Sequence, residues 1–357
     1  MGGSGAAEGE SVMGGDGAAE GESVMGGDGA AEAVASASGL RKVFRLKRGR
    51  DLVAVSGVSL EIRTGEVLGL VGESGSGKST VGRCFVRLLT PDGGEMQWHD
   101  PDTTMGMVFQ EPRESFNRQF RIWQAIADPV QAAGMRLGDD LAQRVRDAAE
   151  SVGLTPSDLL GGVAEASDET LQRTSIARAL VRDPQLLVLD EPTTSLDPDA
   201  RAGVLDLIRR VRAGRSMAIL LISHDLLAVR SVTDRLAIMY LGKIVEQGPT
   251  AELFAGPLHP YTRALLESAL ELDPARPPPP VELEGEIPSP LERPPGCPLE
   301  PRCPWAVAAC SEAEPPLEHA APEHQVACIR ADDLAADPSL PARRARPEAV
   351  TLNGKSQ

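Results

Sequence analysis

The sequence predicts an α/β fold in which helices pack on a central parallel sheet. Residues 185–190 and 216–223 are short runs that are apolar except at their ends, as expected for strands that are buried on both faces of such a sheet. A third apolar run, residues 67–71, leads directly into a glycine-rich turn and a helix. The polar residues 112–163 have a helical pattern. We therefore expect a helical subdomain over about 112–180.

Composition limits the architecture and the partners of the chain. At 357 residues it can hold one large domain with appendages, or two domains. It is 41% hydrophobic but only 3% aromatic, which predicts a core of Ala, Leu, Val and Ile. The formal net charge of -16 argues against a nucleic-acid partner, because phosphate backbones are bound by Lys and Arg.

The sequence predicts no targeting or membrane-spanning segment. No apolar run approaches the roughly 18–20 residues that span a bilayer, and the N-terminus lacks the basic and apolar regions of a signal peptide. We therefore expect a cytoplasmic protein whose thiols stay reduced. Any link to a membrane is expected to come through partner chains.

Changes of composition divide the chain. Residues 5–16 recur unchanged at 17–28, and these repeats are too rich in Gly, Ala and acids to form a core. Alternating polar and apolar residues from Leu52 onward predict strands, and the chain becomes Pro-rich after Pro257. The predicted segments are a disordered tail (1–38), a folded domain (39–256), a C-terminal extension (257–335) and a second disordered tail (336–357).

The turn GESGSGKST fits the phosphate-binding pattern G-x-x-x-x-G-K-[ST], from Gly72 to Ser79. Its glycines let backbone N–H groups close around a phosphate, and the helix N-terminus that follows adds positive potential. Lys78 is expected to reach the β- and γ-phosphates of a nucleotide, and Ser79 to ligate Mg²⁺. The residues expected to bind the nucleotide here are Gly72, Ser74, Gly75, Ser76, Gly77, Lys78, Ser79 and Thr80.

Four further stretches follow this phosphate loop in a fixed order. They are MVFQEP with Gln110, LLVLDEP with Asp190 and Glu191, TTSLDPDAR with Asp197, and LLISHDL with His224. With the phosphate loop, they resemble the ATP-binding cassette (ABC) family of ATPases over about residues 39–255. The resemblance implies an α/β ABC-type nucleotide-binding domain, with a RecA-like P-loop core, an antiparallel β subdomain and a helical subdomain.

The resemblance implies that the chain hydrolyses ATP with Mg²⁺. Glu191 would polarise the attacking water as general base, and His224 and Lys78 would act with it as catalytic residues. Asp190 would hold Mg²⁺ through water.

Other family positions imply contacts at the edges of the nucleotide. Gln110 would sense Mg²⁺ together with Ser79 and couple the site to a membrane partner. Phe44 would stack on the adenine. Asp197 would reach across the interface of an ABC dimer.

The family signature loop, Leu-Ser-Gly-Gly-Gln, closes on the nucleotide of the partner chain. Here residues 166–170 read Ala-Ser-Asp-Glu-Thr, so Ser167 is kept while Asp168 and Glu169 replace two glycines. One carboxylate about 6 Å from a phosphate charge costs roughly 2–3 kcal/mol at an effective dielectric near 20. The same residues make a good helix N-cap and first turn, so we expect the helix to remain without its phosphate function.

A homodimer would then contain two damaged sites. The sequence therefore predicts a second, non-identical ABC ATPase subunit or domain as partner, with one hydrolytic and one degenerate site. In that arrangement Ser167 and Asp197 lie at the interface.

The C-terminal third resembles one subfamily of ABC proteins. PLHPYTRALLESAL, GEIPSP and PPGCPLEPRCPWA are similar to the tails of ATPase subunits from oligopeptide, dipeptide and nickel importers, particularly the second ATPase subunit. This implies two transmembrane permease subunits as partners and, indirectly, an extracytoplasmic substrate-binding protein. Peptide is the expected cargo. The alternatives are nickel or another small solute, and an ATP-binding regulatory subunit with a redox-sensing metal centre.

Four of the five cysteines, Cys297, Cys303, Cys310 and Cys328, lie in the extension with the spacing C-x5-C-x6-C-x17-C. Four thiolates suit either Zn²⁺ or an iron–sulfur cluster. The close cysteine pairs typical of structural zinc are absent from the sequence, and the similar importer ATPases carry an iron–sulfur centre. We therefore expect a [4Fe–4S] cluster, with Zn²⁺ as the alternative. His319 and His324 are further candidate ligands, more typical of surface positions.

Overall fold

A computed structural model describes residues 1, 32–46, 49–194, 196–213, 216–270 and 283–336. Within these ranges the strands form two sheets, one of eight strands and one of three. The strands are β1 (Ala33–Arg45), β2 (Asp51–Arg63), β3 (Val67–Val71), β4 (Gly93–Trp98), β5 (Met105–Val108), β6 (Leu186–Asp190), β7 (Ala218–Ser223), β8 (Arg235–Tyr240), β9 (Lys243–Pro249), β10 (Glu318–Ala321) and β11 (His324–Val326).

The large sheet has the order β10-β11-β9-β8-β3-β7-β6-β5, and its five strands from β8 to β5 are parallel. The three apolar runs in the sequence form β3, β6 and β7 at its centre, which confirms the predicted parallel sheet. Alternate residues of β6 face opposite core layers: Leu187 and Leu189 on one side, Leu186 and Val188 on the other. Burial on both faces explains why these strands are apolar throughout.

Helices cover both faces of the large sheet. The predicted helical subdomain, about residues 112–180, contains four α-helices and packs on one face, while the helix that follows the phosphate loop lies on the other face under the small sheet. The helices are α1 (Lys78–Phe85), α2 (Ile122–Ala132), α3 (Asp139–Ser151), α4 (Pro156–Leu160), α5 (Asp168–Leu180), α6 (Pro198–Ala213), α7 (Leu226–Arg230), α8 (Thr250–Ala255), α9 (Pro260–Leu270), α10 (Ala309–Glu312) and α11 (Ala331–Ala336).

The small sheet is antiparallel, with the order β2-β1-β4. Its first strand begins at Ala33, so residues 33–38 are part of a strand and the predicted boundary of the N-terminal tail was wrong. Val34, Ala35 and Ala37 of this stretch are buried, because they face the apolar core shared with α1. Residues 2–31, with the repeats, lie outside the described part of the chain.

The C-terminal extension continues the large sheet. β11 pairs with β9 in an antiparallel register that joins Gln325 to Gln247 and Val326 to Glu246. β10 then pairs with β11 and forms the last strand of the sheet. The sequence composition marked a boundary at Pro257, but the hydrogen bonding of the sheet crosses it. Residues 337–357, predicted to be disordered, lie outside the described residues.

A buried carboxylate fastens the extension to β9. The Glu246 side chain is fully buried, and its oxygens accept hydrogen bonds from the backbone N–H groups of Leu258 at 2.7 Å and His259 at 3.1 Å. His324 Nε2 lies 2.7 Å from Glu246 Oε1, and the His324 side chain is only 3% exposed. The surface position expected for His324 was therefore wrong, because the imidazole pairs with a buried acid.

None of the helices in the described part of the chain is long and apolar enough to cross a membrane.

Candidate functional site

Four of the predicted site segments meet at one edge of the large sheet. The phosphate loop follows β3, Gln110 follows β5, Glu191 follows β6 and His224 follows β7. Because these strands are parallel, their carboxyl ends share one edge, where α/β proteins bind their ligands. The topology therefore assembles residues that are far apart in sequence.

The phosphate loop depends on its glycines. Gly77 has a φ of 104°, and a Cβ there would lie 2.3 Å from the carbonyl oxygen of Ala54. A Cβ on Gly72 would lie 2.1 Å from the carbonyl oxygen of Met239. Ser76 Oγ is buried without a hydrogen-bond partner among the described residues, as expected for a group that awaits a phosphate.

Lys78 occupies the base of this loop. Its Nζ donates to the carbonyl oxygens of Gly72 at 2.8 Å and Glu73 at 2.9 Å, and it lies 4.0 Å from Glu191 Oε1. Burial lowers the pKa of Lys78, while the charges of Glu191 and Asp190 act in the opposite direction. The Lys78 ammonium is thus a buried donor, and phosphate oxygens could replace the two carbonyl oxygens that now accept its hydrogen bonds.

Ser79 and Asp190 form a pair beside Lys78. Ser79 Oγ donates to Asp190 Oδ1 at 2.8 Å. Burial raises the pKa of Asp190, and the hydrogen bond from Ser79 opposes that rise. A hydroxyl and a carboxylate are the oxygen ligands that Mg²⁺ prefers, so this pair fits the metal that the sequence implied.

Glu191 is held from several directions. His224 Nδ1 lies 2.9 Å from Glu191 Oε2, and Thr194 Oγ1 donates to the same oxygen at 2.7 Å. The residue has a φ of 49°, in the left-handed region that side chains other than glycine rarely adopt, and such strain is common at functional sites. Its backbone N–H donates to the carbonyl oxygen of Ile222 in β7. The carboxylate is therefore fixed, with Oε1 turned towards Lys78.

Thr194 was not selected from the sequence. The signal that could have found it is its position three residues after Glu191 in a turn, where a hydroxyl can reach back to the earlier carboxylate.

Gln110 and Glu191 line the same cavity of about 660 Å³, with Asp168 on its wall. This cavity lies between the segment after β5, the start of α5 and the turn after β6. Gln110 therefore lies beside the site as predicted from the sequence, and the cavity is large enough to admit a ligand group.

Phe44 is half-buried in β1, opposite Leu52 of β2. Lys42 Nζ lies 5.8 Å from the centre of the Phe44 ring. Two residues further along β2, the carbonyl oxygen of Ala54 is the group that approaches Gly77. Phe44 thus lies on the part of the small sheet that adjoins the phosphate loop, consistent with the position expected for an adenine contact.

The altered signature segment forms the start of α5. Ser167 is the N-cap, and its Oγ accepts a hydrogen bond from the Thr170 N–H at 3.1 Å. Asp168 pairs with Arg113 at 2.7 Å, and Glu169 pairs with Arg173 at 2.9 Å, within the same chain. Each of the two acids therefore has a guanidinium partner in its own chain, which the sequence did not predict.

Asp197 caps α6 in the described chain. Its Oδ1 accepts from the Ala200 N–H at 2.9 Å, and its side chain is exposed. The predicted place of Asp197 at a dimer interface stays a prediction.

The four cysteines of the extension line one small cavity of about 20 Å³. Burial raises the pKa of the Cys303 and Cys328 thiols to about 11. Among the described residues, no group of three or more His, Cys, Asp or Glu side chains is arranged to hold a metal ion. The four cysteines predicted to bind a cluster therefore lie around one cavity, but in the described residues they are not arranged as metal ligands.

Two family descriptions match the chain. Residues 55–194 match the ABC transporter family, and residues 245–310 match the oligopeptide/dipeptide transporter C-terminal region. Among solved structures, a dimeric ATP-binding cassette bound to ADP and phosphate has a TM-score of 0.55 and 22% identity, and covers 60% of this chain and 98% of its own. A cassette of a cbiONQ transporter complex from Clostridium perfringens has a TM-score of 0.56 and 25% identity, over 68% and 96% of the two chains.

Curated relatives match over most of their length. A Brucella ovis protein named as a peptide import ATP-binding protein is 37% identical over 308 residues, which cover 83% of this chain and 97% of the relative. A Sinorhizobium fredii protein named as a peptide ABC transporter ATP-binding protein is 39% identical over 324 residues, or 84% and 90% of the two chains. This protein therefore belongs to the ABC transporter ATP-binding proteins that carry the oligopeptide/dipeptide C-terminal region, and it is an ATPase of that family.

Proposed function

We propose that the chain powers peptide import through an ABC transporter, as the ATPase subunit at the cytoplasmic face of the membrane. Its partners would be two transmembrane permease subunits and, indirectly, an extracytoplasmic substrate-binding protein. The observation that carries the proposal is the assembly of Lys78, Glu191 and His224 on a chain whose extension matches the oligopeptide/dipeptide region. The names of the Brucella and Sinorhizobium relatives favour peptide over nickel as cargo.

The geometry supports the following division of labour. Lys78 would exchange its two carbonyl partners for phosphate oxygens. Ser79 would ligate Mg²⁺, and Asp190 would hold the ion through water. Mg²⁺, when bound, neutralises negative charge on the phosphates. His224 and Thr194 orient Glu191 through Oε2, which leaves Oε1 to accept a proton from the attacking water.

A non-identical ATPase partner is part of the proposal. In an ABC dimer the signature segment faces the nucleotide of the other chain, so Ser167 and residues 168–169 would decide whether that site works. The arginine pairs reduce the electrostatic cost of the two acids, yet their side chains still occupy positions where glycine lets backbone N–H groups approach a phosphate. We therefore assign the hydrolytic site to this chain's phosphate loop and the partner's signature, with the other site degenerate.

Purification of the chain with its membrane partners tests this function. We expect permease subunits and a second ATPase chain to co-purify, and the complex to hydrolyse ATP at least about tenfold faster than the isolated chain. Peptide-loaded binding protein should stimulate the complex, and nickel-loaded binding protein should not. Full transporter-like hydrolysis by the self-associated chain alone would contradict the need for a non-identical partner.

A metal centre in the extension is a second proposal, favoured by the four cysteines around one cavity. Thiols suit a [4Fe–4S] cluster, although the cavity is too small for a cluster as it stands. Binding would therefore require the surrounding loops to open. The role would be structural, because a segment with little core of its own gains stability from a bound metal.

Iron and sulfide assays on protein purified without oxygen test the metal centre. We expect about four irons and four sulfides per chain, with a brown colour and visible absorption. Cys303→Ser should lower both contents, whereas Cys84→Ser should not, because Cys84 is buried in α1 within a separate core layer. A colourless protein with stoichiometric zinc would replace the iron–sulfur assignment by the zinc alternative.

A further inference from the structure

The C-terminal extension contacts the phosphate loop directly. Tyr261, in α9, accepts a hydrogen bond through its hydroxyl from the backbone N–H of Glu73 at 2.9 Å. Arg302 Nη1 lies 3.4 Å from Glu73 Oε2. The carbonyl oxygen of the same Glu73 accepts from Lys78 Nζ. Three groups of Glu73 are thus held. The extension contacts its N–H and its side chain, and Lys78 contacts its carbonyl oxygen.

These contacts belong to a rigid, buried cluster. Tyr261 is fully buried and Tyr240 is 1% exposed, and their ring centres lie 4.7 Å apart. Burial raises the pKa of Tyr261, so its hydroxyl stays neutral. The Arg302 side chain is only 10% exposed, its Nη1 lies 3.5 Å from the Tyr240 hydroxyl, and its backbone N–H donates to the carbonyl oxygen of Leu299 at 2.9 Å. Neither group is free to move away from Glu73 without disturbing the cluster.

The charge of Glu73 explains why such a contact matters. A carboxylate in a loop that receives phosphate repels its ligand, by an amount that depends on distance and effective dielectric. Arg302 is a permanent cation that pairs with this carboxylate from the side of the extension. An unpaired Glu73 would leave an acid within the anion-binding loop, close to the cation of Lys78.

We propose that Tyr261 and Arg302 are positioning residues of the nucleotide site, so that the extension sets the affinity of the phosphate loop for ATP. Tyr261 fixes the Glu73 backbone, and with it the first turn of the loop. Arg302 cancels the Glu73 charge. The inference rests on the proposed binding of ATP at Lys78, and it adds to that proposal a dependence on residues that lie outside the cassette.

Arg302→Met tests the charge. It keeps an apolar side chain over the Tyr240 ring but leaves Glu73 unpaired, and we expect the Kd for a fluorescent ATP analogue to rise about tenfold. Adding Glu73→Gln should restore binding to within about twofold of wild type, because the uncompensated charge is removed. If the double variant binds as weakly as Arg302→Met alone, Arg302 serves packing only and the charge argument fails.

Tyr261→Phe tests the hydrogen bond. It removes only the acceptor for the Glu73 N–H, and we expect KM for ATP to rise about fivefold with kcat nearly unchanged. Thr262→Val is the matched control, since it removes, from the next residue of α9, a buried hydroxyl that has no hydrogen-bond partner among the described residues. Equal effects of the two variants, or no effect of Tyr261→Phe, would overturn the proposal. If wild type and Lys78→Ala bind the analogue equally, the proposed ATP site itself fails. That result differs from the two results that would overturn only the roles of Arg302 and Tyr261.

Discussion

Glu191→Gln is expected to abolish ATP turnover by the assembled transporter, with a loss of at least about a hundredfold in kcat. The amide cannot accept a proton from the attacking water, and general-base catalysis typically contributes 10²–10⁴ in rate. Nucleotide binding should remain, because Lys78, Ser79 and the loop backbone are unchanged. The measurements are phosphate release and the Kd for a fluorescent ATP analogue on the same preparation.

Glu114→Gln provides the matched control for this prediction. Glu114 is an exposed acid that lines the same cavity as Glu191, so the two substitutions remove the same charge at neighbouring places. We expect Glu114→Gln to retain most of the activity. Substantial hydrolysis by the Glu191→Gln complex would mean that the base lies elsewhere, or that the second site of the dimer also turns over.

Glu246→Ala is expected to lower the free energy of unfolding by about 3–5 kcal/mol, because each buried donor left without its acceptor costs about 1–3 kcal/mol. Three groups lose their acceptor at once: the N–H groups of Leu258 and His259, and Nε2 of His324. A cavity adds to the cost, because the Glu246 side chain is fully buried. Urea unfolding followed by circular dichroism measures the change.

Glu252→Ala is the control, because Glu252 is an exposed acid on the nearby helix α8. Its removal should change stability by no more than about 0.5 kcal/mol. If Glu246→Ala were as stable as Glu252→Ala, the network around Glu246 would not hold the extension in place.

Local sequence was sufficient for the central sheet and the phosphate loop. The strands β3, β6 and β7 are apolar because both faces are buried, and that pattern is visible in a few consecutive residues. The phosphate loop requires glycine at positions 72 and 77, where a Cβ would collide with neighbouring backbone, so these residue types cannot vary freely. Short-range constraints of this kind are readable without a structure.

Long-range pairings were not predictable in the same way. Asp168 pairs with Arg113, which is 55 positions away in sequence, and the Glu73 N–H donates to Tyr261, which is 188 positions away. Only the folded chain brings these residues into contact. No periodicity in the sequence indicates such partners, so these pairs could not be predicted from it. The strand at residues 33–38 was missed for a related reason, since Val34, Ala35 and Ala37 become core only when α1 packs beneath them.

The pairing of β11 with β9 determines where the chain can be shortened. A protein that ended before β10 would leave β9 without a strand partner on the side that faces away from β8, as an open sheet edge. Such an edge is a template for strand exchange between molecules. The truncation would also remove His324 and so expose the Glu246 carboxylate without its imidazole partner. Aggregation of truncated forms would thus reflect loss of an edge cap, and would say nothing about whether the cassette itself can fold.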